Sequence, residues 1–179
     1  MKTVAQVHQE TRAREVRKGF VRDYPRDPMI DMGFKLKRRE LKVLRKFRET
    51  GKPFQRSPDE RQEVSVWLIK QLATCYDMPA PNVVWTGDGM GDSGASNYDR
   101  ETHTLTFTGH WSYITLLHEF AHSLGYGEQG AVWYSVNVFR RSFPTSFWKL
   151  KRQPGTHFLF RSNDAPPSAV ALERSEVTA

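Results

Sequence analysis

Residues 118 to 122 read His-Glu-Phe-Ala-His, two histidines four positions apart with a carboxylate beside the first. On a helix, positions i and i+4 stack on one face, so the imidazoles of His118 and His122 can close on a single ion about 2.0 to 2.1 Å from each ring nitrogen. Glu119 is turned roughly 100° round the helix from His118, too far for an ideal third ligand but within reach of a water held on the ion. Zinc lowers the pKa of such a water towards neutrality and polarises a carbonyl; Glu119 would take the proton as general base and pass it to a leaving amine. The chemistry is peptide-bond hydrolysis without a covalent intermediate.

A catalytic zinc site takes three protein ligands and keeps one position open. The run HEFAHSLGYGE reads HExxHxxGxxE, and Gly125 and Gly127 permit a sharp reversal that would bring Glu128 back to the ion. Glu128 is therefore the expected third metal ligand and Zn2+ the expected cofactor. The competing explanation for Glu128 is electrostatic, since acidic residues are favoured in the first turn of a helix. His110, just before the motif, and Tyr126 and Tyr134, just after it, are candidates for contacts to substrate or to the transition state, with Tyr98 a further candidate electrophile. His8, His103 and His157 are not nominated: the first lies in a basic arm, the others on expected strand edges.

Several elements must position this motif. Ile114, Leu117, Ala121 and Leu124 recur at i, i+3, i+7 and i+10, which places the histidines on a helix with its other face buried, between Ser112 as N-cap and Gly125 as stop. A second helix is expected from Glu128 to about 141, with Ala131, Val132, Ser135, Val138 and Phe139 on one face and Pro144 beyond. Upstream, Ser57-Pro58-Asp59-Glu60 is a strong helix start, with a capping serine, a first-turn proline and a glutamate able to close a capping box. Val64, Trp67, Leu68, Leu72 and Cys75 then mark one apolar face. Residues 82–86 and 104–108 read as strands, Leu105 and Phe107 alternating with threonines. The loop over 87–94 carries Asp88 and Asp92 but lacks calcium-loop spacing. Residues 157–160 are a candidate late strand.

The run from Leu36 to Thr50 reads as an amphipathic helix stopped by Gly51 and Pro53, and residues 1 to about 30 as a marginal helix followed by a loop. The expected fold class is α+β: a small antiparallel sheet packed on helices. The expected division is a basic, partly flexible helical extension over 1–55, a metallopeptidase domain over 56–162 and a disordered tail over 163–179, where Ala, Pro, Ser and Glu dominate.

Composition sets further bounds. The chain has 179 residues, one cysteine and a net charge of +7. No apolar run approaches the roughly 20 residues of a membrane span, and the N-terminal stretch lacks the apolar core of a secretory signal, so the expectation is a cytoplasmic protein with no membrane partner. Cys75 cannot pair within the chain and reads as a small buried hydrophobe. Residues 1–60 hold 17 Lys and Arg against 9 Asp and Glu, while the remainder is nearly balanced. That N-terminal excess is either a solvated helix face or a footprint for nucleic acid.

From about residue 82 to 144 the chain resembles the zincin metallopeptidases, and within them a minimal gluzincin of the ImmA/IrrE-like kind. The resemblance rests on two strands leading into Leu116-Leu117-His118-Glu119-Phe120-Ala121-His122, then Glu128-Gln129-Gly130-Ala131 opening a helix that ends near Phe143-Pro144. It implies Glu128 as third zinc ligand and a protein or peptide substrate. The short His122-to-Glu128 interval departs from the family and is similar to metzincin spacing with glutamate in place of histidine; the basic N-terminal third carries no helix-turn-helix signature. The alternative is a nucleic-acid-associated protein: either a SprT-like protease acting on DNA-bound proteins or a binding protein with a structural or vestigial zinc.

Overall fold

In a computed structural model the chain is described over residues 1–17, 35–86, 96–108 and 111–151. His110, the loop with Asp88 and Asp92, the candidate late strand and the C-terminal tail lie outside these residues. The elements run α1 (Val4–Arg17), α2 (Arg38–Lys46), α3 (Pro58–Cys75), β1 (Asn82–Thr86), β2 (Asn97–Asp99), β3 (Thr104–Thr108), α4 (Tyr113–Ser123), α5 (Glu128–Ser142) and α6 (Pro144–Lys151). The fold is α+β, as its alternation of amphipathic helices and short strands implies.

Local chemistry accounts for most of the boundaries. Ser57 Oγ accepts from the Glu60 N–H, and the Glu60 carboxylate accepts from the Ser57 N–H at 2.9 Å, closing the capping box that starts α3. Ser112 Oγ accepts from the Thr115 N–H and starts α4. The helix expected over 36–50 is α2 followed by a wider π turn through Phe47–Gly51, which ends where Lys52 turns left-handed ahead of Pro53.

Three strands form one sheet in the order β1-β3-β2. β2 and β3 are antiparallel, but β1 and β3 are parallel, Val83 opposite Leu105 and Trp85 opposite Phe107. The expectation of a wholly antiparallel sheet is corrected here, and β2 is the reason. This short polar strand, Asn97-Tyr98-Asp99, reverses the chain between β1 and β3, so those two run the same way. A tight turn joins it to β3, with the Asp99 carboxylate accepting from the Glu101 N–H and the Thr102 hydroxyl.

The core lies between the sheet and the helices. α4 and α5 pack most extensively on each other, and α5 is buried almost all round from Gln129 to Phe139. Its buried Asn137 donates to the Trp133 carbonyl at 2.8 Å, so the amide does not enter the core unsatisfied. Leu68, Leu72 and Cys75 of α3 are buried as their spacing requires. Val7 of α1, Leu44 of α2 and Phe47 belong to the same cluster, and Phe47 stacks on Tyr113 at 5.2 Å between ring centroids. The described parts of the basic N-terminal stretch are thus packed on the rest of the fold. Among the described residues no helix is long and apolar enough to cross a membrane.

Candidate metal centre

α4 ends in a Schellman turn. The Tyr126 N–H bonds the Ala121 carbonyl at 3.1 Å, the Gly125 N–H bonds that of His122 at 2.8 Å, and Gly125 takes φ of +93°, a conformation that favours glycine. The chain reverses within four residues and re-enters a helix at Glu128. Its carboxylate thereby returns to the helix it has just left: Oε2 lies 3.3 Å from His118 Nε2 and Oε1 lies 3.2 Å from His122 Nε2.

The two Nε2 atoms are themselves 3.1 Å apart, and the ligand-type atoms of His118, His122 and Glu128 all fall within 4.8 Å of one another. His122 Nδ1 lies 2.9 Å from the Tyr126 carbonyl, which can only accept. The proton of the neutral ring therefore sits on Nδ1, and Nε2 presents its lone pair to the cluster. His118 Nδ1 is buried without a hydrogen-bond partner among the described residues.

Three acceptors converging at this range repel unless positive charge lies between them. A proton shared within the cluster can supply that charge. Hydrogen bonds from His118 and His122 hold the Glu128 carboxyl well below the usual carboxylate range. Burial draws the His122 imidazole down, but the Glu128 carboxylate and the Tyr126 carbonyl outweigh it and leave the ring more basic than usual. Two imidazoles and a carboxylate also form the donor set of catalytic zinc sites, so the cluster fits a divalent ion in place of the proton.

Glu119 lies beside this cluster at 5% exposure. Burial pushes its carboxyl above the ordinary value; the two histidines pull the other way, and the charge on Glu128 pushes with burial. All four residues line a cleft of about 620 Å³, whose other walls come from α1 and from the β2 region. The cleft leaves one side of the cluster open.

The remaining nominated residues divide. Tyr126 lines the cleft, but its hydroxyl accepts from Arg14 Nη1 at 3.1 Å, and burial pushes its pKa up to about 12. Tyr98 lines the cleft as well and donates to His103 Nδ1 at 2.7 Å. Tyr134 does not line it. Six residues beyond Glu128 on α5, it falls on the far side of that helix, where it is 1% exposed against Phe120 and Tyr126. Its nomination as a substrate contact is corrected to a place in the core. His103 is held by Tyr98 and by the Pro79 carbonyl at 3.2 Å, which suits a structural role.

Sequence reasoning passed over His8 and Glu15 of α1. His8 is 4% exposed and lines the cleft; its Nε2–H donates to the Ser123 carbonyl at 2.9 Å, and Arg100 donates to its Nδ1 at 3.1 Å. Glu15 accepts from the Gly127 N–H at 3.0 Å. The available signal was helical spacing, since positions 4, 7, 8, 11 and 15 share a face, but that face mixes Val4 and Val7 with His8, Thr11 and Glu15 and shows no apolar period.

Fold and site together define an α+β chain with a His-His-Glu cluster across two consecutive helices. No protein family, curated protein or solved structure that was compared matches the chain.

Proposed function

We propose that this protein is a zinc-dependent metalloprotease, a minimal gluzincin that hydrolyses peptide bonds in a protein or peptide substrate. One observation carries the reading: His118, His122 and Glu128 converge at the wall of an open cleft, with the buried carboxylate of Glu119 beside them. A structural zinc would call for a fourth protein ligand and no open side. Among the described residues three ligands converge.

Zinc in this position would supply a Lewis acid that polarises the scissile carbonyl and acidifies an attacking water. His118, His122 and Glu128 would hold it, and the Tyr126 carbonyl would fix the His122 ring in the tautomer that leaves Nε2 free. Glu119 takes the proton from the attacking water and delivers it to the leaving nitrogen. Burial moves its carboxyl above the ordinary value, the direction that favours a base able to return its proton. The lone cysteine, buried in α3, is consistent with a cytoplasmic setting.

The test combines elemental mass spectrometry of the purified protein with incubation of a proteome-derived peptide library, new termini being read by mass spectrometry. The expected result is one zinc per chain, cleavage by the wild type, and zinc without cleavage in Glu119→Gln. Absence of zinc after reconstitution would overturn the metal reading. Zinc with equal cleavage by the wild type and Glu119→Gln would overturn the role of Glu119.

A further inference from the structure

The two helix ends that carry the metal cluster each lack one local partner. At the end of α4, the Schellman bonds occupy the Ala121 and His122 carbonyls but not that of Ser123. At the start of α5 the N-cap is Gly127, and the residue three positions on, Gly130, has no side chain to accept the Gly127 N–H as an N3 glutamate would in a capping box. Both gaps are filled from α1, more than a hundred residues away in sequence. His8 Nε2–H bonds the Ser123 carbonyl, and Glu15 Oε1 takes the Gly127 N–H. A carboxylate there also complements the positive end of α5.

The fit around these bonds is close. A side-chain carbon on Gly125 would come within 2.7 Å of His8 Cα, and one on Gly130 would run into the Glu15 carboxylate. Arg14, between the two, donates to the Tyr126 hydroxyl and lies over the Trp133 ring at 5.2 Å. Arg100, just beyond β2, donates to the other nitrogen of His8. One face of α1 therefore grips the C-terminus of α4, the turn and the N-terminus of α5, and ties them to the sheet.

We propose that α1 is a working part of the metal centre, with Glu15 and His8 as positioning residues that hold the α4–α5 turn so that Glu128 meets the two histidines. The proposal rests on the metal-site reading above and assigns the N-terminal helix a role in that site. Ser123 follows His122 directly and Gly127 precedes Glu128 directly, so each contact fixes the backbone one residue from a ligand. Partners that orient metal ligands from outside are typically worth about 10- to 100-fold in metal affinity.

The experiment is a zinc dissociation constant for the full-length chain, by competition with a chromophoric chelator, together with the visible spectrum of the cobalt-substituted protein. Glu15→Ala is expected to weaken zinc binding by about tenfold or more and to alter the cobalt bands, with helix content by circular dichroism unchanged. Glu15→Gln should recover most of the affinity, because its amide oxygen can still accept the Gly127 N–H. Glu10→Ala, which removes only the exposed ion pair with Lys2 on the same helix, should change neither readout. If Glu15→Ala does not fold, His8→Phe carries the test, with the same direction expected. Wild-type zinc affinity and cobalt bands in the folded variant, even with a lowered melting temperature, would overturn the positioning role and leave the metal reading standing. A wild type that binds neither metal would overturn both.

Discussion

The Nδ1–H of His122 donates to the carbonyl of Tyr126 at 2.9 Å, so the turn that delivers Glu128 also sets the tautomer of the histidine it meets. Ligand orientation and chain reversal are thus one local structure. Tyr126 belongs to the Schellman turn through its N–H and holds the His122 ring of the His-His-Glu cluster through its carbonyl.

Removal of a proposed zinc ligand gives the most direct test. His118→Ala or His122→Ala should abolish zinc binding, and Glu128→Ala should weaken it by more than the roughly 10- to 100-fold usual for an outer-shell partner. Isothermal titration with zinc measures each. Undiminished affinity in Glu128→Ala would reduce that residue to a helix-start charge.

Glu119 should be costly when the metal is absent. Burial raises its carboxyl pKa, so the folded chain holds the proton more strongly than the unfolded chain does. Stability is then lost as pH rises from about 4.5, the ordinary value, through the raised one, and at neutral pH the buried carboxylate is a net penalty. Glu119→Gln, measured in excess chelator at pH 7, should melt higher, by about 2–4 °C for each kcal/mol recovered. A lower melting temperature would mean that the carboxylate makes stabilising contacts when ionised.

His8 gives a pH dependence of opposite sign. Burial lowers its pKa from 6.5; the bond to Ser123 opposes this, and the charges of Arg100 and Arg12 reinforce it. A lowered base binds fewer protons folded than unfolded, so its contribution is present above 6.5 and is lost as pH falls through the folded value. Urea midpoints of the metal-free protein between about pH 5 and 8 should fall towards acid in the wild type, and less steeply in His8→Phe. Identical slopes in the two would place the titration elsewhere.

Gly125 should tolerate no side chain. Its φ of +93° is strained for any other residue, and an added carbon meets the backbone of His8 rather than a movable side chain. Gly125→Ala is expected to lower stability by at least about 2 kcal/mol, seen in denaturant unfolding, and to weaken zinc binding as α1 is displaced. A change of a few tenths would show that the turn can relax.

The His-Glu-x-x-His spacing and the elements that carry it were legible in local sequence. The spacing of His118 and His122, the capping box at Ser57 and Glu60, the stop at Gly125 and the alternation of Leu105 and Phe107 are all decided within a few residues, because helix and strand periods, caps and turns are short-range effects. The return of Glu128 was legible for the same reason, since it needs only the turn between two adjacent helices.

What the tertiary structure decided is non-local. Nothing near Asn97 announces that three polar residues form the strand that turns β1 and β3 parallel, because the hydrogen bonds that make it a strand come from β3. Tyr134, close to Glu128 in sequence, is placed in the core by the rotation of a helix buried on nearly every side. His8 and Glu15 looked like members of a charged arm, and what makes them part of the site is a pair of contacts reaching to Ser123 and Gly127. Such contacts leave no period in either segment: the helix ends that need a partner and the side chains that supply it are chosen by how the chain packs.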